Sequence, residues 1–171
     1  MTDQIDRVFR VMFVCTGNIC RSPMAEEILR IMFENAGADN VLVGSSGVGA
    51  VVGHPASEYA QEAVKTCGGV LSGHRGRQLT EEIIEEYDVI LALSPGHYHA
   101  ILRMAPKAEE KTYLLKAFPQ HGDTGEGIFD PIGSSQGVYN EVYLEIYSEL
   151  QRIFPALLKM SQEKREGSVS H

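Results

Sequence analysis

Between Val11 and Pro23 the chain runs through an apolar stretch rich in Val and Phe that stops at Cys15, then Gly17 and Asn18, then Ser22-Pro23. In that order these are the signals for a buried strand, a tight loop and a helix start. Five residues separate Cys15 from Arg21. In so short a loop the backbone N–H groups of Thr16, Gly17, Asn18, Ile19 and Cys20 can all turn inward. They then form an anion nest at a helix N-terminus, where unpaired N–H groups and the helix dipole both favour negative charge. Surroundings of this kind can lower a thiol's pKa to roughly 3.5–7.5, so Cys15 is expected as an ionised nucleophile. Arg21 closes the ring, because its planar fork suits two phosphate oxygens at once and its charge could follow a phosphoryl group into the transition state. The competing reading makes Cys15 a small buried hydrophobe, Cys20 a core residue and Arg21 a surface cation. It requires strand, loop, Cys, Arg and Ser-Pro to coincide by chance.

Around this stretch strands and helices alternate. Residues 7–14 read as the first strand, with Ser22 as the N-cap of a helix and Pro23 where a missing N–H costs nothing. Ala25, Ile28, Leu29, Met32 and Phe33 recur at helical spacing before Gly37. Residues 41–43 form a second strand followed by a small-residue loop over 45–53, then a helix over 57–67 ended by Gly68-Gly69 and a short acidic helix over 80–86. A third strand is expected over 88–93, a helix from Pro95 to Met104, a fourth strand over 111–115 and a long loop over 120–137. The last helix spans 137–160 on a stripe of Val138, Val142, Ile146, Leu150, Ile153 and Leu157.

Such alternation specifies a single α/β domain, a four-stranded parallel twisted sheet with helices on both faces and right-handed crossovers. The domain is expected over 7–160, after a flexible N-terminus at 1–6 and before a polar tail at 161–171. In open α/β sheets the ligand crevice lies at the carboxyl ends of the strands, so the loop after the second strand should border the site. Gly47-Val-Gly49 lacks the third glycine and the helix of a dinucleotide fingerprint.

The chain has 171 residues, 43% of them hydrophobic, enough for one sizeable core. It shows neither an apolar run of membrane-spanning length nor a secretory leader, so a cytoplasmic protein is expected. Three cysteines, an odd number without a paired framework, fit a reducing compartment. A net charge of −8 argues against nucleic acid or an anionic membrane as partner. Capture of an anion would therefore be local. His54, His97, His99 and His121 have no Cys or carboxylate cluster at ligand spacing, and neither a metal nor another cofactor is expected.

The run from Val14 to Glu26 resembles the signature of the low-molecular-weight protein tyrosine phosphatases, and the likeness extends from about Arg7 to Leu158 with Asp130-Pro131 where that family carries its general acid. The resemblance implies that Cys15 takes the phosphoryl group of a phosphorylated protein while Asp130 first protonates the leaving group and then activates water. Phe129 would help desolvate the Asp130 carboxyl, and Pro131 would stiffen its exit. The resemblance also implies that Asn18 holds the loop in a strained turn, Ser22 hydrogen-bonds the thiolate, and Ser45 and His74 tie the loop down. It further implies that a Cys15–Cys20 disulfide is a reversible off-switch. A monomer or weak dimer is expected.

Substrate choice divides the family. Ile132-Gly133 and the segment 48–52 stand where phosphotyrosine enzymes place aromatic residues, and Asp130-Pro-Ile-Gly-Ser-Ser135 resembles the protein-arginine phosphatase branch. That branch has Thr where this chain has Ile19, and Ile suits an aryl face better than a guanidinium, so phosphotyrosine is the expected substrate. Arsenate reduction on the same loop needs two further relay cysteines, which Cys67 alone does not supply. A non-catalytic phosphopeptide-binding module would be expected to lack Cys15, Arg21 or Asp130, and all are present.

Overall fold

β1 (Phe9–Cys15) takes every residue of the apolar run, and its side chains alternate between two cores. Phe9, Val11, Phe13 and Cys15 face one, Met12 and Val14 the other. Both faces must therefore be covered. α1 (Arg21–Asn35), α2 (Glu58–Val64) and α5 (Gln136–Glu166) cover the first, while α3 (Glu81–Glu86) and α4 (Pro95–Met104) cover the second. β2 (Val41–Gly47), β3 (Val89–Ala92) and β4 (Thr112–Leu114) complete a parallel sheet of order β2-β1-β3-β4. A computed structural model describes residues 6–167 of the chain. Among these, no helix is long and apolar enough to cross a membrane.

The expected single α/β domain with four parallel strands is the architecture found, but several boundaries move. α1 begins at Arg21 with Cys20 in the N-cap position, so Ser22 lies inside the first turn and is not the cap. Its hydroxyl is engaged by the loop instead. Pro23 still costs nothing, because the first four N–H groups of a helix have no partner to lose. β2 runs through Ser45, Ser46 and Gly47, which the sequence reading assigned to a loop, because they pair with Phe13, Val14 and Cys15. The partner strand overrides the weak strand propensity of Ser and Gly. The helix expected over 57–67 is α-helical to Val64 and continues as a tight turn to Cys67, ended by Gly68 at φ 77°.

α5 overruns its expected end at residue 160, because Asn40 donates to the Ser161 carbonyl and Lys164 pairs with Asp88 at 2.9 Å. Its buried face is carried at the start by Tyr139 and Tyr143, with Val138 only half-buried. The flexible segment expected at the N-terminus and the end of the polar tail lie outside the described residues, apart from Asp6 and the stretch to Gly167.

The β1–β2 pairing ends at Cys15 opposite Gly47. Here a side chain has no room: a Cβ on Gly47 would collide with the Thr16 carbonyl oxygen and lie 3.1 Å from the Asn18 nitrogen. Gly47 thus lets the loop after β1 lie flat against the end of β2. Gly47→Ala is expected to destabilise the protein by about 1–3 kcal/mol, as other overpacked sites do. Thermal denaturation checks this, and a melting temperature equal to wild type would show that the loop moves aside freely.

Candidate active site

The backbone of the loop from Cys15 to Cys20 is held through its carbonyls. Val48, Gly49 and Val51 donate their N–H groups to the carbonyls of Cys15, Thr16 and Gly17, each at 3.0 Å. His74 Nε2 donates to the Asn18 carbonyl at 2.6 Å, and the Ser57 N–H to that of Ile19 at 2.8 Å. The backbone N–H groups of Thr16 through Cys20 find no protein acceptor among the described residues. Carbonyls point outward and amides inward, which is the geometry of an anion nest. Cys15 sits beneath it, 2% exposed, at the end of β1.

Asn18 makes the inversion possible. Its φ of 58° is the only positive value among described non-glycine residues. The left-handed conformation costs an L-residue roughly 1–2 kcal/mol, and Asn tolerates it best. The fully buried side chain then uses every polar atom: Nδ2 donates to Ser22 Oγ and Ser45 Oγ, both at 2.9 Å, and Oδ1 accepts the Arg77 N–H at 2.9 Å. Since Ser22 Oγ accepts from Asn18, its own proton is free for Cys15 Sγ, 2.8 Å away.

Arg21, 6% exposed, forms one wall. Its Nη1 donates to the Ile128 carbonyl at 3.0 Å and its Nη2 lies 3.6 Å from Asp130 Oδ2. Asp130 arrives on the loop before α5, fastened where the Ile128 N–H donates to the Leu93 carbonyl at the end of β3 (2.7 Å). Asp130 Oδ1 accepts the Ile132 N–H across buried Pro131 (3.1 Å), which sets the carboxylate's orientation. Phe129 does not cover this carboxyl as the sequence reading expected. Phe129 is 61% exposed, and Ile128 turns into the core in its place. Cys15, Thr16, Ile19, Arg21, Asp130 and Ile132 share a cavity of about 310 Å³.

Thus Cys15, Thr16, Gly17, Ile19, Cys20, Arg21 and Asp130 line the cavity, while Asn18, Ser22, Ser45, His74 and Pro131 hold the loop and the carboxylate from outside it. Cys20 lines it from the N-cap position of α1. Its Sγ lies 3.1 Å from the Tyr139 hydroxyl and 3.6 Å from Ser57 Oγ, burial pushes its thiol above the usual range, and Cys15, Cys20 and Cys67 are all free. Burial also lowers the pKa of His74, even though its bond to Asn18 acts in the opposite direction.

Two titratable groups join the site that its motifs do not bring to it. Glu26 lies half-buried on α1 behind the loop, near Ser45 and Arg77, and burial pushes its carboxyl up to about 7. A carboxylate beside the helix's apolar residues Met24, Ala25, Ile28 and Leu29 was the available signal. His97, considered only as a metal ligand, bonds Thr16 Oγ1 at 2.9 Å and Ser94 Oγ at 2.8 Å. His99 pairs with Asp123, and His121 stacks on Tyr113.

Residues 10–165 match the family model described as low molecular weight phosphotyrosine protein phosphatase. The chain is 39% identical over 145 residues to a protein-arginine-phosphatase of Geobacillus stearothermophilus, covering 85% of this chain and 93% of that protein. It is 38% identical over 133 residues to the low molecular weight protein-tyrosine-phosphatase Etp of Escherichia coli strain K12, covering 78% and 84%. A solved low molecular weight protein tyrosine phosphatase from T. tengcongensis superposes with a TM-score of 0.80 at 33% identity, covering 86% and 99%.

Glu26 gives a pH test. Its folded-state pKa of about 7 lies above the ordinary 4.5, so the folded protein holds this proton more tightly than the unfolded one. The associated stability is complete below about pH 4.5 and is lost as pH rises through about 7. Between those limits the wild type is expected to lose about 2–3 kcal/mol relative to Glu26→Gln. Urea unfolding of both proteins across the range measures this, and parallel curves would refute it.

Proposed function

The chain belongs to the low molecular weight phosphotyrosine protein phosphatase family, and we propose that it hydrolyses phosphotyrosine in protein substrates through Cys15, Arg21 and Asp130. The observation that carries this reading is the set of inward amides above a buried sulfur that Ser22 addresses with its hydroxyl. Phosphate oxygens would take those N–H groups and the Arg21 guanidinium, leaving phosphorus above Cys15 Sγ.

The thiolate attacks phosphorus and the P–O bond to the tyrosine breaks. Asp130, entering protonated, gives its proton to the departing phenolate oxygen. The phosphoryl group is then held on Cys15, and Asp130, now a carboxylate, takes a proton from the water that attacks phosphorus. The S–P bond breaks, releasing inorganic phosphate and restoring the thiolate. Amides and Arg21 balance the charge at each stage, a role that requires no cation from solution.

For the side chain being relieved of phosphate, the walls of the cavity favour an aryl ring. Ile19, Val51 and Ile132 are aliphatic, and Asp130 is the one carboxylate lining it. A phosphoarginine guanidinium would compete for that carboxylate with Arg21. Arginine specificity remains the second reading, supported by the protein-arginine-phosphatase relative and by the Asp130-Pro-Ile-Gly run. We place the enzyme in the cytoplasm as a monomer or weak dimer, a reading supported by its three free thiols and its charge of −8.

Release of phosphate from p-nitrophenyl phosphate is expected to persist in chelator, to vanish in Cys15→Ser, and to fall about 10²–10⁴-fold in Asp130→Ala. Full activity of Cys15→Ser would reject the mechanism. Phosphotyrosine and phosphoarginine peptides assayed side by side decide the substrate: the tyrosine peptide should be preferred, and Ile19→Thr should move the ratio toward arginine. A clear arginine preference in the wild type would overturn the assignment.

A further inference from the structure

His97 is 5% exposed, occupies the first turn of α4, and takes part in no step above. Its ring is held at both nitrogens, by Thr16 Oγ1 at 2.9 Å and Ser94 Oγ at 2.8 Å, and its backbone N–H donates to the Ser94 carbonyl at 3.1 Å. Ser94 lies just beyond β3, next to Leu93, whose carbonyl anchors the loop that carries Asp130. Thr16 follows the nucleophile and lines the cavity.

These contacts close a ring. From Thr16 it passes through His97 and Ser94 to Leu93, crosses to Ile128, and returns through the Ile128 carbonyl to Arg21 at the far end of the nest. The other straps on the loop come from β2, from residues 48–51, and from Ser57, His74 and Arg77. Thr16–His97 ties it to the β3–α4 junction, where the acid loop hangs.

We propose that His97 is a positioning residue that acts through Thr16 to set the distance between the phosphate nest and Asp130. Burial, reinforced by the charge of Arg21, lowers the pKa of the imidazole to about 4 and keeps it neutral. A neutral ring has one donor and one acceptor, matching its two hydroxyl partners. Loosening this ring leaves the nest intact but lets it shift relative to the acid, and proton delivery to the leaving group falters first. The penalty then grows as the leaving group becomes more basic, because a more basic oxygen needs more complete protonation in the transition state.

The inference rests on the proposed reaction, and its test uses aryl phosphates ordered from p-nitrophenol to phenol as leaving group. In His97→Ala, kcat/KM is expected to fall about threefold for p-nitrophenyl phosphate and at least about tenfold more for phenyl phosphate. His97→Gln, which keeps a hydrogen-bonding group without a ring, should recover part of the difference. Thr16→Val alone should show the same steepening, and added to His97→Ala should cost nothing further. A loss of the same factor for every leaving group, or additive losses in the double variant, would overturn the role of His97. Should His97→Ala not fold, the His97→Gln and Thr16→Val series decide the question by the same criterion. Wild-type protein that releases phosphate from none of these esters would instead overturn the reaction itself.

Discussion

Everything at this site depends on a stretch of backbone turned inside out. A buried sulfur anion needs positive partial charge around it, and peptide N–H groups supply that without the desolvation cost of a buried lysine. The carbonyls of the same peptides must then point away and find donors of their own. They do so on three neighbours: the segment after β2, the Ser57 N–H ahead of α2, and the His74 ring. The inversion also requires a left-handed residue within the loop, and Asn18 offsets its conformational cost by bonding with all of its polar atoms.

Such a loop is stable only in a scaffold that surrounds it. β1 lies in the middle of the sheet, so its carboxyl end has β2 on one side and β3 on the other. The β2 side contributes Ser45, Gly47 and the donors that follow. The β3 side contributes Ser94, His97 and the anchor for the acid loop. α1 starts at Arg21, which directs its N-terminus at the nest and places Glu26 behind it. The arrangement would let an acidic protein seat a dianion: the favourable potential is made within a few ångströms by amides and a guanidinium, while the surface charge is screened over about 10 Å of salt solution.

Local signals proved reliable where they were strong. The apolar run of β1, the Pro95 start of α4 and the glycines after α1 and α2 lie at or beside the positions their chemistry suggests. They failed where a neighbour overrode propensity. Ser45 to Gly47 are poor strand formers that pair because β1 offers them a ladder, and Ser22 resembles a cap but gives its hydroxyl to the loop. Phe129 looked like a shield for Asp130, but the loop turns Ile128 inward instead. Nothing local in the sequence distinguishes these outcomes, since each depends on which group stands opposite.

The order of residues from Cys15 to Arg21 by itself determined that a thiol, a short loop and a cation would share one turn of chain, because those groups lie within a few peptide bonds of each other. It also determined the layered α/β class, because strand and helix periodicities alternate along the chain. Only the tertiary structure decided that Asp130, Ser45, His74, Glu26 and His97 would meet there. Glu26 follows the loop on α1, but the groups it meets and the other four residues are brought in by strand order and loop docking over separations of tens of residues, and contacts of that range depend on how the whole core packs.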